Sequence, residues 1–190
     1  MDTNFKKLYK ICETQAGYFT TGQANHAGYS RQSVAAHASS DLFTHIAQGI
    51  YRFTYYPSSP YEDLMIAVLK SGPQAVVSHH SAFAVYQLSD LMPAQIHITI
   101  PKNRSRRRTG VRYHTNKISK KETTNFEGLP ITTVERTITD GIRYGLEAGL
   151  MQQAVDQALQ RGMVTTHSLI EQANQYGKKT QETMKQYLGG

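Results

Sequence analysis

The chain has 190 residues, enough for one domain or two small ones with a real apolar core. Its single cysteine, Cys12, excludes a disulfide framework and a thiolate metal site, and no run approaches the roughly 18 apolar residues that cross a bilayer. Lys plus Arg number 21 against 14 Asp plus Glu, a formal net charge of +7, and the start MDTNFKKLYKICE lacks the apolar core of a signal peptide, so a cytoplasmic, basic protein is expected.

Phe5, Leu8, Tyr9 and Cys12 follow i, i+3, i+4, i+7 spacing and predict a first helix that Gly17 ends. Thr20 and Gln23 form a capping box for a short second helix, stopped at Ala27-Gly28. Ser30 caps a third helix from Arg31 to about Ser39, with Val34, Ala35 and Ala38 inward. "LFTHIAQGIYRF" then reads as a hairpin around Gly49. Three helices and a hairpin give a winged helix-turn-helix over residues 1–56.

"YYPSSPYED" is a Pro-interrupted linker. Ser59, Pro60 and Glu62 predict a capping box opening a helix to about Lys70. "QIHITIP" alternates, with Ile96, Ile98 and Ile100 inward and His97 and Thr99 outward, and "GVRYHT" alternates too. The basic stretch Lys102–Thr109 between them is expected to be a hairpin connection. Thr132 and Glu135 predict a third capping box and a helix to about Arg143. Leu150, Met151, Ala154, Val155, Ala158 and Leu159 stripe a helix that stops at Gly162, and two further helical segments follow Thr166 and Gly177. The expected class is α+β: the winged helix-turn-helix, then a mixed α+β domain over 57–190 with a small sheet and several helices.

The stretch "TTGQANHAGYSRQSVA" carries the chemistry of the first part. Ala24 lets two helices approach, Gly28 tolerates the left-handed turn, and Val34 faces inward. Tyr29, Ser30, Arg31, Gln32 and Ser33 then face outward at a helix N-terminus, the position that enters the major groove. Arg31 suits guanine O6 and N7, Gln32 suits adenine N6 and N7, and Ser30, Ser33 and Tyr29 suit phosphate oxygens. Thr20, Thr21 and Gln23 start the preceding helix and complete the candidate DNA face, while Gln48, Tyr51 and Arg52 in the wing are placed for backbone or minor groove. The alternative is a packing corner with a solvated polar face; the adjoining hairpin and the basic chain favour DNA.

Nine Lys or Arg and no acid lie between Pro101 and Lys121, leaving twelve basic against fourteen acidic residues elsewhere. Lys102, Arg104, Arg106, Arg107, Arg108 and Arg112 form its densest part, suited to nucleic-acid backbone or to an acidic partner. His79-His80 lacks the spacing and companions of a zinc site and reads as structural. No Glu-x-Lys nuclease pattern, G-x-S-x-G elbow or phosphate loop occurs, so neither catalysis nor a cofactor is expected.

"GYFTTGQANHAGYSRQSV", "GIYRF", "AVVSHHSAFAVYQLSD", "IHITIPKNRSRRR", "GVRYHT" and "GLPITTVERTITD", in this order, resemble the AbiEi family of antitoxins from bacterial abortive-infection toxin–antitoxin systems. The resemblance covers roughly Phe5 to Gln175. It implies an N-terminal repressor domain that binds inverted repeats in its own promoter and a C-terminal antitoxin domain. It also implies a partner toxin of nucleotidyltransferase type, countered in a type IV system without a stable complex. Carried over by position, the DNA-reading residues are Tyr29 to Ser33, with His37 next in line, although His37 stands where common helix-turn-helix patterns place an aliphatic residue. The rival expectation is direct binding of the partner protein through the basic second domain; a nucleic-acid-processing enzyme is a distant third. Inverted repeats imply two copies on DNA, and no heptad seam assures a dimer in its absence.

Overall fold

The computed structural model of the protein describes residues 3–102 and 108–189. These form a mixed α and β structure with two sheets, divided into two compact units. Among the described residues no helix is long and apolar enough to cross a membrane.

The first unit takes the chain to Pro73, past the proline step, together with Asn125–Pro130. Its elements are α1 (Thr3–Glu13), β1 (Tyr18–Thr20), α2 (Thr21–Ala27), α3 (Arg31–Ser39), β2 (Phe43–Ala47), β3 (Ile50–Phe53) and α4 (Glu62–Ser71). Leu8 and Cys12 from α1, Ala24 and Ala27 from α2, Val34 from α3, and Phe19, Phe43 and Phe53 from the strands close one core. Phe43 sits edge-on to Phe19 and Phe53 at 4.9 and 5.0 Å, a geometry that adds to the gain from burying the rings. Burial also pushes the Cys12 thiol up, so it behaves as a small apolar side chain. The hairpin around Gly49 forms as its sequence predicts, with a register shift between His45 and Ala47. β1 joins it as a third antiparallel strand, giving the order β1-β3-β2.

The expected capping box at the proline step does not form: α4 begins at Glu62, with Tyr61 as its N-cap and no side-chain cap hydrogen bond. Ser59 Oγ accepts from the Tyr61 N–H at 3.1 Å, but the Glu62 carboxylate accepts from the Tyr18 hydroxyl at 2.6 Å instead of reaching back to Ser59. A buried phenol is the stronger claimant, because burial leaves its O–H no water to replace the bond.

The second unit holds β4 (Val76–Val77), α5 (His79–Tyr86), β5 (Ile96–Ile100), β6 (Val111–Thr115), a 3-10 turn (Lys120–Glu122), α6 (Val134–Tyr144), α7 (Ala148–Gln160), α8 (Thr166–Asn174) and α9 (Lys178–Leu188). With β7 (Thr123–Phe126) and β8 (Leu129–Thr132) the strands run β6-β5-β4-β8-β7. Two expectations are corrected here. β5 and β6 are parallel, pairing Ile96 with Val111 and Ile100 with Thr115, so the stretch between them is not a hairpin connection. His97 and Thr99 are buried rather than outward, because α5 covers the face that simple alternation assigns to water. His97 Nδ1 lies 3.0 Å from His114 Nε2 and the Thr99 hydroxyl donates to Ser78 Oγ at 2.8 Å, so neither side chain is stranded.

The cap of α6 is Thr133, one residue later than expected; its hydroxyl accepts from the Arg136 N–H. Arg136 is fully buried on this helix. Its Nη1 donates to Glu122 Oε1 at 2.8 Å, its Nε lies 3.0 Å from Asp140 Oδ2, and its guanidinium covers the Tyr176 ring at 4.7 Å. Burial opposes the charge, but Asp140 and Glu122 outweigh that and hold Arg136 above its ordinary value.

Candidate nucleic-acid interface

The corner between α2 and α3 is fixed by four local devices. Thr20 Oγ1 accepts from the Gln23 N–H at 3.1 Å while Gln23 Oε1 accepts from the Thr20 N–H at 2.8 Å, a complete capping box. Gly28 closes α2 at φ +105°, a left-handed conformation, where a Cβ would stand 2.6 Å from Asn4 Oδ1. The Tyr29 N–H returns to the Ala24 carbonyl at 3.0 Å. Ser30 Oγ accepts from the Ser33 N–H at 3.0 Å and opens α3.

This arrangement leaves Ser30, Arg31 and Gln32 exposed at the start of α3, with Ser33 half-buried and Val34 beneath them in the core. The first backbone N–H groups of a helix have no partner within it, so this end offers donors and a positive dipole end to an anion. Arg31 brings a planar fork of donors and Gln32 a donor–acceptor pair, the two groups suited to purine edges.

Other predicted residues are placed differently. Tyr29 is only 7 % exposed and packs edge-on to Phe43 and His37, so it serves the core and not a phosphate. His37 is half-buried with its ring edge-on to Phe43 at 5.4 Å, so it packs against the core. Thr20 and Gln23 are engaged in the cap, and Gln23 also exchanges hydrogen bonds with Gln15. Thr21 donates through Oγ1 to the Gly49 carbonyl at 3.3 Å, tying the hairpin turn to the start of α2. Tyr51 lies half-buried, stacked on Phe19 at 5.8 Å. Arg52 does not reach outward: its guanidinium lies over the Tyr18 ring at 5.5 Å, donates to the Tyr18 hydroxyl and pairs with Glu62 at 3.7 Å. Gln48 is exposed at the hairpin tip, as expected.

Three exposed polar side chains on the same elements escaped the pattern: Asn25 and His26 on α2 and His45 on β2. Alternation does not reveal His45: it shares the phase of the buried Phe43 and is exposed beside the register shift between His45 and Ala47.

In the second unit, Lys102, Arg108 and Arg112 are exposed, as are Lys117, Lys120 and Lys121. Arg112 rests its guanidinium over the Tyr144 ring at 5.4 Å. Arg104, Arg106 and Arg107 lie outside the described residues.

No family model matches the chain, and no curated protein matches it. Among solved structures it is similar to the RV2827C protein from Mycobacterium tuberculosis, with a TM-score of 0.46 and 12 % identity over 92 % of this chain and 72 % of that one. Likeness at this level does not identify a family.

Proposed function

We propose that the first unit is a winged helix-turn-helix that reads DNA with the start of α3, and that the protein is a repressor of its own toxin–antitoxin operon. The observation that carries the DNA reading is the exposed Ser30-Arg31-Gln32 row, presented at a capped helix N-terminus whose underside is locked by Val34 and Tyr29. Gln48 on the hairpin supplements α3, and the exposed bases of the 101–121 segment supply sequence-independent affinity for phosphates.

The antitoxin role rests on the resemblance of the ordered segments to the AbiEi family. In this reading the partner is a toxin of nucleotidyltransferase type, and the protein acts by binding and repression, without catalysis. Selection of DNA from a random duplex library tests it. An enriched motif with two inverted half-sites one helical turn or a multiple apart is the expected result. A pool that stays unenriched after repeated rounds overturns it.

A further inference from the structure

A second concave site lies entirely within the second unit. It is a cavity of about 380 Å³ between the end of β6 and α6, lined by His79, His114, Asn116, Arg136, Asp140, Arg143 and Tyr144. Its volume falls within the range of pockets that hold small organic ligands.

We propose that this cavity binds a small phosphoryl-bearing anion, held by the guanidinium groups of Arg136 and Arg143. The proposal does not depend on the DNA reading. Four observations support it. First, Arg136 is fully buried, and its Nη2 makes no hydrogen bond among the described residues, a costly state for a charged donor that an anionic oxygen relieves. Second, Asp140 Oδ2 lies 3.0 Å from Nε and Glu122 Oε1 accepts from Nη1, so the two carboxylates engage two of the three nitrogens and leave Nη2 over. Third, two guanidiniums, those of Arg136 and Arg143, line the cavity against one carboxylate, Asp140, and a third, that of Arg112, lies over the ring of the lining residue Tyr144. Fourth, Asn116 and the two arginine forks all line the cavity, a set of donors that suits the several oxygens of a phosphoryl group.

The histidines form a neutral wall. His79 and His114 stack at 3.5 Å with ring planes 8° apart, and His114 Nε2 meets His97 Nδ1 at 3.0 Å. Rings stacked in parallel cannot aim their lone pairs at one ion, and among the described residues no group of three or more His, Cys, Asp or Glu is placed to hold a metal. Burial first, then the neighbouring histidines and arginines, lower His79 to about 2, His97 to about 3 and His114 to about 4. The wall therefore offers hydrogen bonds and flat polarizable surface without charge.

The test is a titration of the full chain with inorganic phosphate, adenosine 5′-monophosphate and adenosine, read from the ring NMR signals of His79 and His114 and by calorimetry. The expected result is that phosphate and the monophosphate shift those signals with half-saturation below about 1 mM while adenosine does not. Tighter binding of the monophosphate assigns the site to an organic phosphate; equal or exclusive binding of phosphate assigns it to the free ion. Arg143→Gln, at an exposed position that leaves the fold intact by circular dichroism, weakens binding at least about tenfold. Arg143→Lys, which keeps the charge but loses the fork, weakens it less. The proposal is overturned if neither phosphate nor the monophosphate binds at about 10 mM, if adenosine binds as well as the monophosphate, or if both Arg143 variants bind like wild type.

Discussion

Glu122→Gln removes the centre of the buried network in the second unit. The carboxylate of Glu122 accepts from Arg136 Nη1 at 2.8 Å, from the Ser119 N–H at 2.9 Å and hydroxyl at 2.8 Å, from Gln172 Nε2 at 3.1 Å, and from the Tyr176 hydroxyl. Burial opposes its ionisation, but the hydrogen bonds from Tyr176, Ser119 and Arg136 outweigh burial and hold it at about 2, against an ordinary 4.5. At about 1.4 kcal/mol per tenfold, that difference corresponds to about 3 kcal/mol of stability at neutral pH. A group held low contributes fully above its unfolded value, so the contribution is present above pH 4.5 and is lost as the pH falls toward 2. Glutamine keeps the shape but loses the charge and turns a donor toward donors, so the variant is expected to lose about 3 kcal/mol at pH 7. The chain has no tryptophan, so urea unfolding is followed by far-UV circular dichroism. The gap between wild type and variant is expected to close at acid pH, where wild type is itself protonated. A difference under about 0.5 kcal/mol at pH 7, or one that stays constant with pH, refutes the reasoning.

Gly28→Ala forces a side chain into the left-handed turn and against the Asn4 amide, which itself donates to the Gly28 carbonyl at 3.2 Å. A loss of about 2 kcal/mol is expected in thermal or urea unfolding, and wild-type stability would show that the turn relaxes freely. The three histidines held low, His79, His97 and His114, stay neutral in the fold while their unfolded counterparts take up protons near 6.5, so stability is full above that pH and falls as the pH drops toward 4. Ring NMR should show none of the three titrating between about pH 8 and 5, and titration of any of them in that window contradicts their burial.

Sequence and structure agree most closely where the signal is local. The Thr20–Gln23 box, the Gly28 turn and the Gly49 hairpin each depend on a few adjacent residues whose backbone preferences leave little choice. The helices α7, α8 and α9 are visible for the same reason, through stripes such as Met151, Ala154, Val155 and Ala158. β1 escapes notice because three residues are too few to show a period; only the register with β3 makes Tyr18–Thr20 a strand. The parallel pairing of β5 and β6 is equally non-local, since two alternating runs with a polar stretch between them read as a hairpin until the register is known.

At the candidate interface, residue types were legible but directions were not. Arg52 looks like a wing cation until Glu62, ten residues later, turns it inward with the Tyr18 hydroxyl. Tyr29 looks like a phosphate donor until Phe43 offers its ring a core position. The histidine cluster was the hardest to read: His79, His97 and His114 are dispersed in the chain and meet only because α5, β5 and β6 pack together.

The central claim is that the start of α3 reads DNA sequence, and fluorescence anisotropy tests it most directly. Wild type and the double variant Arg31→Ala, Gln32→Ala are titrated with duplex DNA from upstream of the gene and with scrambled duplex, across a salt series. Both changes fall on exposed side chains, so the variant is expected to melt like wild type. The account predicts that wild type prefers its own upstream DNA at every salt concentration. It predicts that the variant loses about 2–4 kcal/mol of that preference while keeping most of its affinity for scrambled DNA. Equal binding of both duplexes by wild type, or an undiminished preference in the variant, would contradict it.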